Sequence, residues 1–280
     1  MRHTPVLLKE VIDNLNIKPN GLYIDATVGE GGHGQEILKK QGRLLGIDRD
    51  ERQIEGLKQK EIFKNAFLFN DNFANIEDIA KKNKYYPVDG IIFDLGLSMR
   101  QIQKSKKGFS YKNEDEYLDM RLSNNIIKTA SSIINSLKAS ELYEIFTKYS
   151  EEINSRAIAK GIVNARSLKK IEKVGDLLRI IDKTIKRKDK QVYARIFQAL
   201  RIAVNNEFEN LKKALKGAKN IINSDGRIIV ISFHSLEDRI VKRFGKENGL
   251  KLLTKKPIVG KKNIKHERSA KLRIIFKNNI

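Results

Sequence analysis

Residues 25–34 read DATVGEGGHG and follow the short apolar run Gly21-Leu22-Tyr23-Ile24. No other stretch of this chain limits its fold so tightly. An acidic residue closing a strand, a glycine-dense loop and a helix-forming stretch over 35–40 outline a cradle for a nucleotide-like cofactor. Glycine has no Cβ, so such a loop can take positive φ and bring backbone N–H groups against a ligand. The helix that follows points unsatisfied N–H groups and a partial positive charge at the same place. Gly29-Glu30-Gly31-Gly32-His33-Gly34 satisfies the G-x-G-x-x-G spacing, a pattern that a ligand-free turn can also show. A second apolar run, Arg43-Leu44-Leu45-Gly46-Ile47, ends at Asp48. A carboxylate there, about 20 residues past the glycines, is where a ribose hydroxyl pair is commonly held.

The first hundred residues alternate apolar strands with amphipathic helices. Strands are predicted at 22–25, 44–48, 66–70 and 90–94, and helices at 5–15, 35–40, 51–59 and 76–82. This rhythm predicts an α/β fold with a parallel sheet and right-handed crossovers. Ligands of such sheets bind beyond the C-terminal strand ends, where Asp25, Asp48, residues 70–73 and Asp94 all fall. From 104 to 219 the rhythm breaks into helical stretches at 131–149, 153–163, 174–186 and 193–219. The sheet resumes at 227–232, a helix follows at 236–244, and an alternating strand at 271–276 is placed to pair antiparallel with its predecessor. The expected organisation is a core from 1–103 and 220–280 with a helical insertion at 104–219.

Of the 280 residues, 40% are apolar, enough for a folded core. No run approaches the ~18 apolar residues of a membrane span, and no signal-peptide stretch opens the chain, so a cytosolic location is expected. The absence of cysteine excludes disulfides, thiolate zinc sites and a cysteine nucleophile. The four histidines show no ligand spacing, and a metal is not expected. The net charge of +22 is unevenly spread. Residues 1–100 hold 15 basic and 15 acidic side chains, residues 101–226 hold 26 and 15, and residues 227–280 hold 15 and 4. A neutral cofactor half beside two strongly basic segments points to a polyanionic partner, most simply nucleic acid.

Phe73, just past the third strand, is placed to pack against an adenine or to serve as an ordinary core residue. Asp94 opens Asp94-Leu95-Gly96-Leu97-Ser98 at the fourth strand end, facing the reacting end of a bound cofactor. If that cofactor is S-adenosylmethionine, the missing cysteine excludes the usual covalent route to a pyrimidine ring carbon. An exocyclic amine or a hydroxyl remains as acceptor. A cytosine amine is a poor nucleophile whose lone pair is conjugated with the ring, so it needs acceptors to orient it and take its proton. Ser232-Phe233-His234-Ser235-Leu236-Glu237-Asp238 holds a Ser/His/Asp set but no G-x-S-x-G elbow. It reads first as a helix start with acidic residues in its first turn, and His234 is a candidate to line the acceptor site.

Together these motifs resemble the RsmH/MraW family of small-subunit ribosomal RNA (cytosine-N4)-methyltransferases along essentially the whole chain. The resemblance is carried by HTPVLL at 3–8, the glycine loop, GIDRD at 46–50 and DLGLS at 94–98. It continues through GFSY at 108–111, LDMR at 118–121, RIFQALRI at 195–202, NNE at 205–207 and, most specifically, ISFHSLEDRIVK at 231–242. It implies a class I S-adenosylmethionine-dependent methyltransferase, a Rossmann-like mostly parallel sheet with a helical insertion. It implies S-adenosylmethionine held by Gly31, Gly32 and His33, with Asp48 on the ribose, Phe73 beside the adenine, and Asp94 and Gln101 at the methionine end. The implied substrate is a cytidine in the decoding region of 16S rRNA in the small ribosomal subunit, methylated at N4. Asp94 and His234 are the catalytic candidates. Contacts to RNA are sought at Arg195, Arg201, Lys242, Arg243, Lys271 and Arg273. Two other readings fit parts of the pattern: a nicotinamide-dependent dehydrogenase, from the glycines and Asp48, and a noncatalytic RNA-binding assembly factor, from the charge.

Overall fold

The computed structural model of the chain describes residues 5–96, 105–123, 125–261, 263–264 and 267–277. It divides into two compact units, Met1–Gly96 with Phe208–Ile280, and Leu97–Glu207.

The first unit is built on a sheet of eight strands among the described residues: β1 Leu22–Asp25, β2 Arg43–Asp48, β3 Phe67–Asn70, β4 Val88–Asp94, β5 Ile222–Ser232, β6 Lys251–Leu252, β7 Ile258–Val259 and β8 Lys271–Phe276. Their order is β3-β2-β1-β4-β5-β8-β6, with β7 also on β8. The pairs β3–β2, β2–β1, β1–β4 and β4–β5 are parallel, whereas β8 lies antiparallel to β5, Ile229 opposite Ile274. The antiparallel closure expected of the last strand is therefore present. The chain leaves β1 toward one edge and returns on the other side as β4. The β1/β4 boundary is thus a topological switch point, where a crevice opens beyond the strand ends.

Both sheet faces are covered, so the central strands carry continuous apolar runs. In β4, Ile91 and Phe93 join one core layer and Ile92 the other, the period-two alternation of a strand. One layer receives α1 (Leu8–Leu15), α2 (Gly32–Lys39) and α3 (Glu51–Lys58) through residues such as Val11, Leu15, Ile37, Ile54 and Leu57. The other receives α4 (Ile76–Lys82) and, further along the chain, Glu207–Ile221, which buries Leu211, Leu215 and Ile221. Each such aliphatic side chain contributes about 1.5–3 kcal/mol.

The second unit holds α5 (Ala130–Ser136), α6 (Ala139–Ser150), α7 (Ser155–Arg166), α8 (Val174–Ile185) and α9 (Lys190–Asn205) around a core that includes Ile134, Phe146, Ile162, Leu177 and Leu200. Two stretches that read as single helices are broken. The segment 131–149 turns extended at Leu137, and the Lys138 N–H then donates to Glu141 Oε2 at 2.7 Å to start α6. The segment 193–219 breaks at Asn206, whose φ of 50° is left-handed, a conformation asparagine tolerates better than most residues. The second piece, α10 (Glu207–Ile221), packs from Phe208 onward with the sheet rather than with the other helices. The last helix, α11 (Ser235–Glu247), follows β5.

Candidate active site

Three aspartates end adjacent parallel strands. Asp25 closes β1, Asp48 closes β2 and Asp94 closes β4. Asp25 is buried, with Oδ1 accepting the Thr27 N–H at 3.2 Å. Thr27 returns the link across the switch point, its Oγ1 accepting the Asp94 N–H at 2.7 Å. Asp94, half-buried, accepts the Gly96 N–H at 3.3 Å. Asp48 is clamped from both sides: Oδ2 accepts from Gly29 at 2.9 Å and Oδ1 from Asp50 at 2.8 Å. Each Asp48 oxygen keeps acceptor capacity for a further donor, as a ribose diol would supply.

Like charges packed out of water resist ionisation. Burial first, with Asp94 and Asp48 adding to it, raises Asp25 to about 7. Burial, then the nearby Glu237, raises Asp94 to about 7. Asp48 is raised by burial, partly offset by its two N–H donors. Such a rim favours a cationic ligand.

The glycines divide by what fills the space beside them. Gly31 has φ +86°, and an added Cβ would lie 2.5 Å from Phe63 and 2.6 Å from Leu57. At Gly32 it would lie 2.1 Å from Pro5. Both positions are glycine because the protein's own side chains press on them. Gly29 differs. Its φ is +49°, and among the described residues nothing comes closer than 3.8 Å to a Cβ built there, the neighbours being Thr27 O and Asp48 Oδ2. That open face beside Asp48 fits a nucleoside cofactor at Gly29, the first glycine of the G-x-G-x-x-G spacing, which the family resemblance left out of the cofactor residues.

His33 is buried with Nε2 3.1 Å from the Val6 carbonyl, and burial lowers its pKa to about 4. Its neutral ring ties the N-terminal segment to the loop, leaving its backbone as the part available to a ligand. Phe73 is half-buried, edge-on to Phe93 at 6.0 Å, with the Arg49 guanidinium over its ring at 5.4 Å. Gln101 lies outside the described residues.

The run after β5 forms a cap, not a relay. His234 is the N-cap of α11, its Nδ1 accepting the Glu237 N–H at 3.4 Å. Glu237 is buried, and its Oε2 accepts the Phe233 N–H at 2.9 Å. The Phe233 ring seats on Gly96, where a Cβ would come within 2.6 Å of it. Glu237 therefore holds Phe233 where its ring meets Gly96, two residues past Asp94, a role foreshadowed only by an acidic residue in a predicted first turn.

Of the residues expected to meet RNA, Lys242 and Arg243 are exposed on α11 and Lys271 is partly exposed. Arg195 is held by the buried Glu152 at 2.6 Å, and Arg201 forks onto Glu207 with both contacts at 3.0 Å. Arg273 must be corrected. It is 4% exposed and forks onto Asp238 at 2.6 and 3.0 Å, so it braces β8 against α11 and cannot reach a phosphate. Strand alternation alone did not reveal that α11 covers this face.

A doubly wound sheet with an acidic rim at its switch point and an open glycine beside the second strand's carboxylate defines a class I S-adenosylmethionine-dependent methyltransferase fold. Residues 1–278 match the MraW methylase family, and the chain belongs to it, with S-adenosylmethionine as methyl donor. It is 44% identical over 283 residues to the ribosomal RNA small subunit methyltransferase H of Dictyoglomus thermophilum, the match covering 97% of this chain and 95% of that one. It is 42% identical over 306 residues to the protein of the same name from Clostridium botulinum strain Loch Maree, covering 99% of each.

Proposed function

We propose that this protein transfers a methyl group from S-adenosylmethionine to the exocyclic N4 of a cytidine in the decoding region of 16S rRNA, within the cytoplasm. The observation that carries the reading is the convergence of Asp25, Asp48 and Asp94 on one switch point with the open face of Gly29 among them. Family membership and the names of the relatives support ribosomal RNA as the substrate. Two segments of +11 each supply attraction for its backbone.

In this reading Asp48 accepts from the ribose hydroxyls, Phe73 packs on the adenine, and backbone groups of Gly31, Gly32 and His33 line the loop. Asp94, with Gln101, holds the methionine end. The donor supplies an electrophilic methyl on a sulfonium. The protein's part is to orient the amine, whose lone pair is otherwise spread into the ring, and to accept its proton. We assign that task to Asp94 and His234. The cytosine must leave its stack to enter.

The test is transfer of labelled methyl to small-subunit RNA or to subunits from a strain lacking the gene, followed by nucleoside mass analysis. N4-methylcytidine at one decoding-region position is the expected product. No transfer to any RNA form sinks the reading. A methylated ring carbon or ribose would retain the enzyme class and overturn the acceptor.

A further inference from the structure

We propose that the helical unit carries a second contact for the RNA, a cleft beside the α8–α9 turn in which an unpaired base stacks on Tyr111 while lysines of the turn hold its flanking phosphates. The proposal rests on the RNA reading above and concerns a nucleotide other than the one that reacts.

The turn reads Lys183-Thr184-Ile185-Lys186-Arg187-Lys188-Asp189-Lys190, and all five cations are exposed. Asp189 is engaged locally. It caps α9 by accepting from Gln191 at 2.9 Å and pairs with Arg187 at 3.1 Å. Among the described residues none of the four lysines takes part in an ion pair, so their charge is available to solvent and to a partner. The turn borders a cleft of about 820 Å³, within the size range of ligand sites.

One wall of this cleft is aromatic. Tyr111 is partly exposed and braced by Tyr193 at 5.8 Å and Phe197 at 6.3 Å. The Tyr193 hydroxyl is in turn tied to Asp182. A ring held from behind in this way loses little freedom when a base stacks on it. The remaining polar lining includes carboxylates, Glu114 and Asp182, which accept hydrogen bonds. Carboxylates suit the amino edges of bases, as acidic side chains accept from cytosine N4. They repel an acidic polypeptide. A basic rim, a braced ring and acceptors in the lining, exposed at Glu114 and partly buried at Asp182, together match a single-stranded nucleic acid, which offers phosphates to the cations and amino edges to the carboxylates.

The experiment uses the full chain and a fluorescein-labelled single-stranded RNA 12-mer, with anisotropy titrations across a range of NaCl concentrations. Tyr111→Leu keeps apolar bulk against Tyr193 and Phe197 but removes the stacking face. It is expected to weaken binding roughly 5- to 100-fold with the salt slope unchanged. The triple variant Lys186→Ala, Lys188→Ala, Lys190→Ala is confined to exposed positions. It is expected to lower the slope of log K against log[NaCl] by about 0.7 for each phosphate no longer neutralised. Tyr111→Phe should bind as wild type does. Wild-type affinity in Tyr111→Leu overturns the proposal. If that variant melts early, the triple variant decides, and an unchanged slope overturns it. Polyglutamate binding that is equally sensitive to Tyr111→Leu means an acidic-polypeptide site and also overturns it. A wild-type chain that binds S-adenosylmethionine but no RNA sinks the broader RNA reading instead. RNA binding indifferent to both cleft variants sinks only the cleft.

Discussion

Replacing Gly31 by alanine separates packing from ligand binding in the glycine loop. The left-handed backbone at φ +86° costs a non-glycine residue about 1–2 kcal/mol. The new methyl would also sit 2.5 Å from Phe63 and 2.6 Å from Leu57. Those side chains are 2% and 1% exposed and have no solvent to swing into, so the overlap costs about 1–3 kcal/mol more. The total, about 2–5 kcal/mol, is a large share of the ~5–15 kcal/mol that holds a typical domain folded. Gly29→Ala should carry only the backbone part, because among the described residues nothing comes closer than 3.8 Å to its methyl. That methyl would instead project beside Asp48, where the donor's ribose is proposed to lie. Urea unfolding and calorimetric titration with S-adenosylmethionine read the two effects separately. Gly31→Ala is expected to lose the more stability, and Gly29→Ala to lose affinity beyond its smaller loss of stability. A Gly31→Ala protein no less stable than Gly29→Ala would refute the reasoning.

The buried acids set a pH dependence whose sign can be fixed. Asp25 is raised to about 7 from an unfolded value near 4, so its contribution is fully present below about pH 4 and lost as pH rises through 7. Asp25→Asn keeps the oxygen that accepts from Thr27 and should remove about 1.4 kcal/mol per pH unit of that decline, measured by urea unfolding between pH 4 and 8; an unchanged slope speaks against burial of the charge. His33 acts oppositely. Lowered to about 4, it contributes fully above pH 6.5 and loses that contribution as pH falls, so His33→Gln should flatten acid destabilisation over the same window. Arg273→Ala strands Asp238 in the first turn of α11 and should cost about 3–5 kcal/mol in the same assay, whereas an exposed RNA contact would cost almost nothing. Lys242→Ala with Arg243→Ala should leave melting unchanged and lower the salt slope of RNA binding by about 0.7 per phosphate no longer neutralised; a constant slope removes them from the interface.

The sheet was legible because its signals are local. Each of the first four strands is an apolar run closed by an aspartate or asparagine, and each crossover helix repeats at 3.6 residues. The helix breaks at Leu137 and Asn206 were not legible, since apolar periodicity runs through both and only the cap geometry interrupts it. The acidic rim could be read from strand ends, but the division of labour among the glycines could not. Whether a glycine faces a ligand or a neighbour depends on Pro5, Leu57 and Phe63, which reach the loop from three separate segments. Charge showed where cations are plentiful without showing which are already paired. Arg195, Arg201 and Arg273 are each matched to a carboxylate 6 to 43 positions away, a pairing that only folding specifies.

Near the loop's outer wall, Leu7 holds a left-handed φ of 51°, and its N–H donates to buried Glu267 at 3.1 Å. Two residues earlier Pro5 presses on Gly32, and one residue earlier the Val6 carbonyl meets His33. The segment against the glycine loop is thus fastened by a residue 260 positions further along the chain. Until Glu267 has been made, the segment that presses on the glycine loop lacks this fastening, so ordering of the loop's outer wall should wait on the region around residue 267 rather than follow the emergence of the glycines.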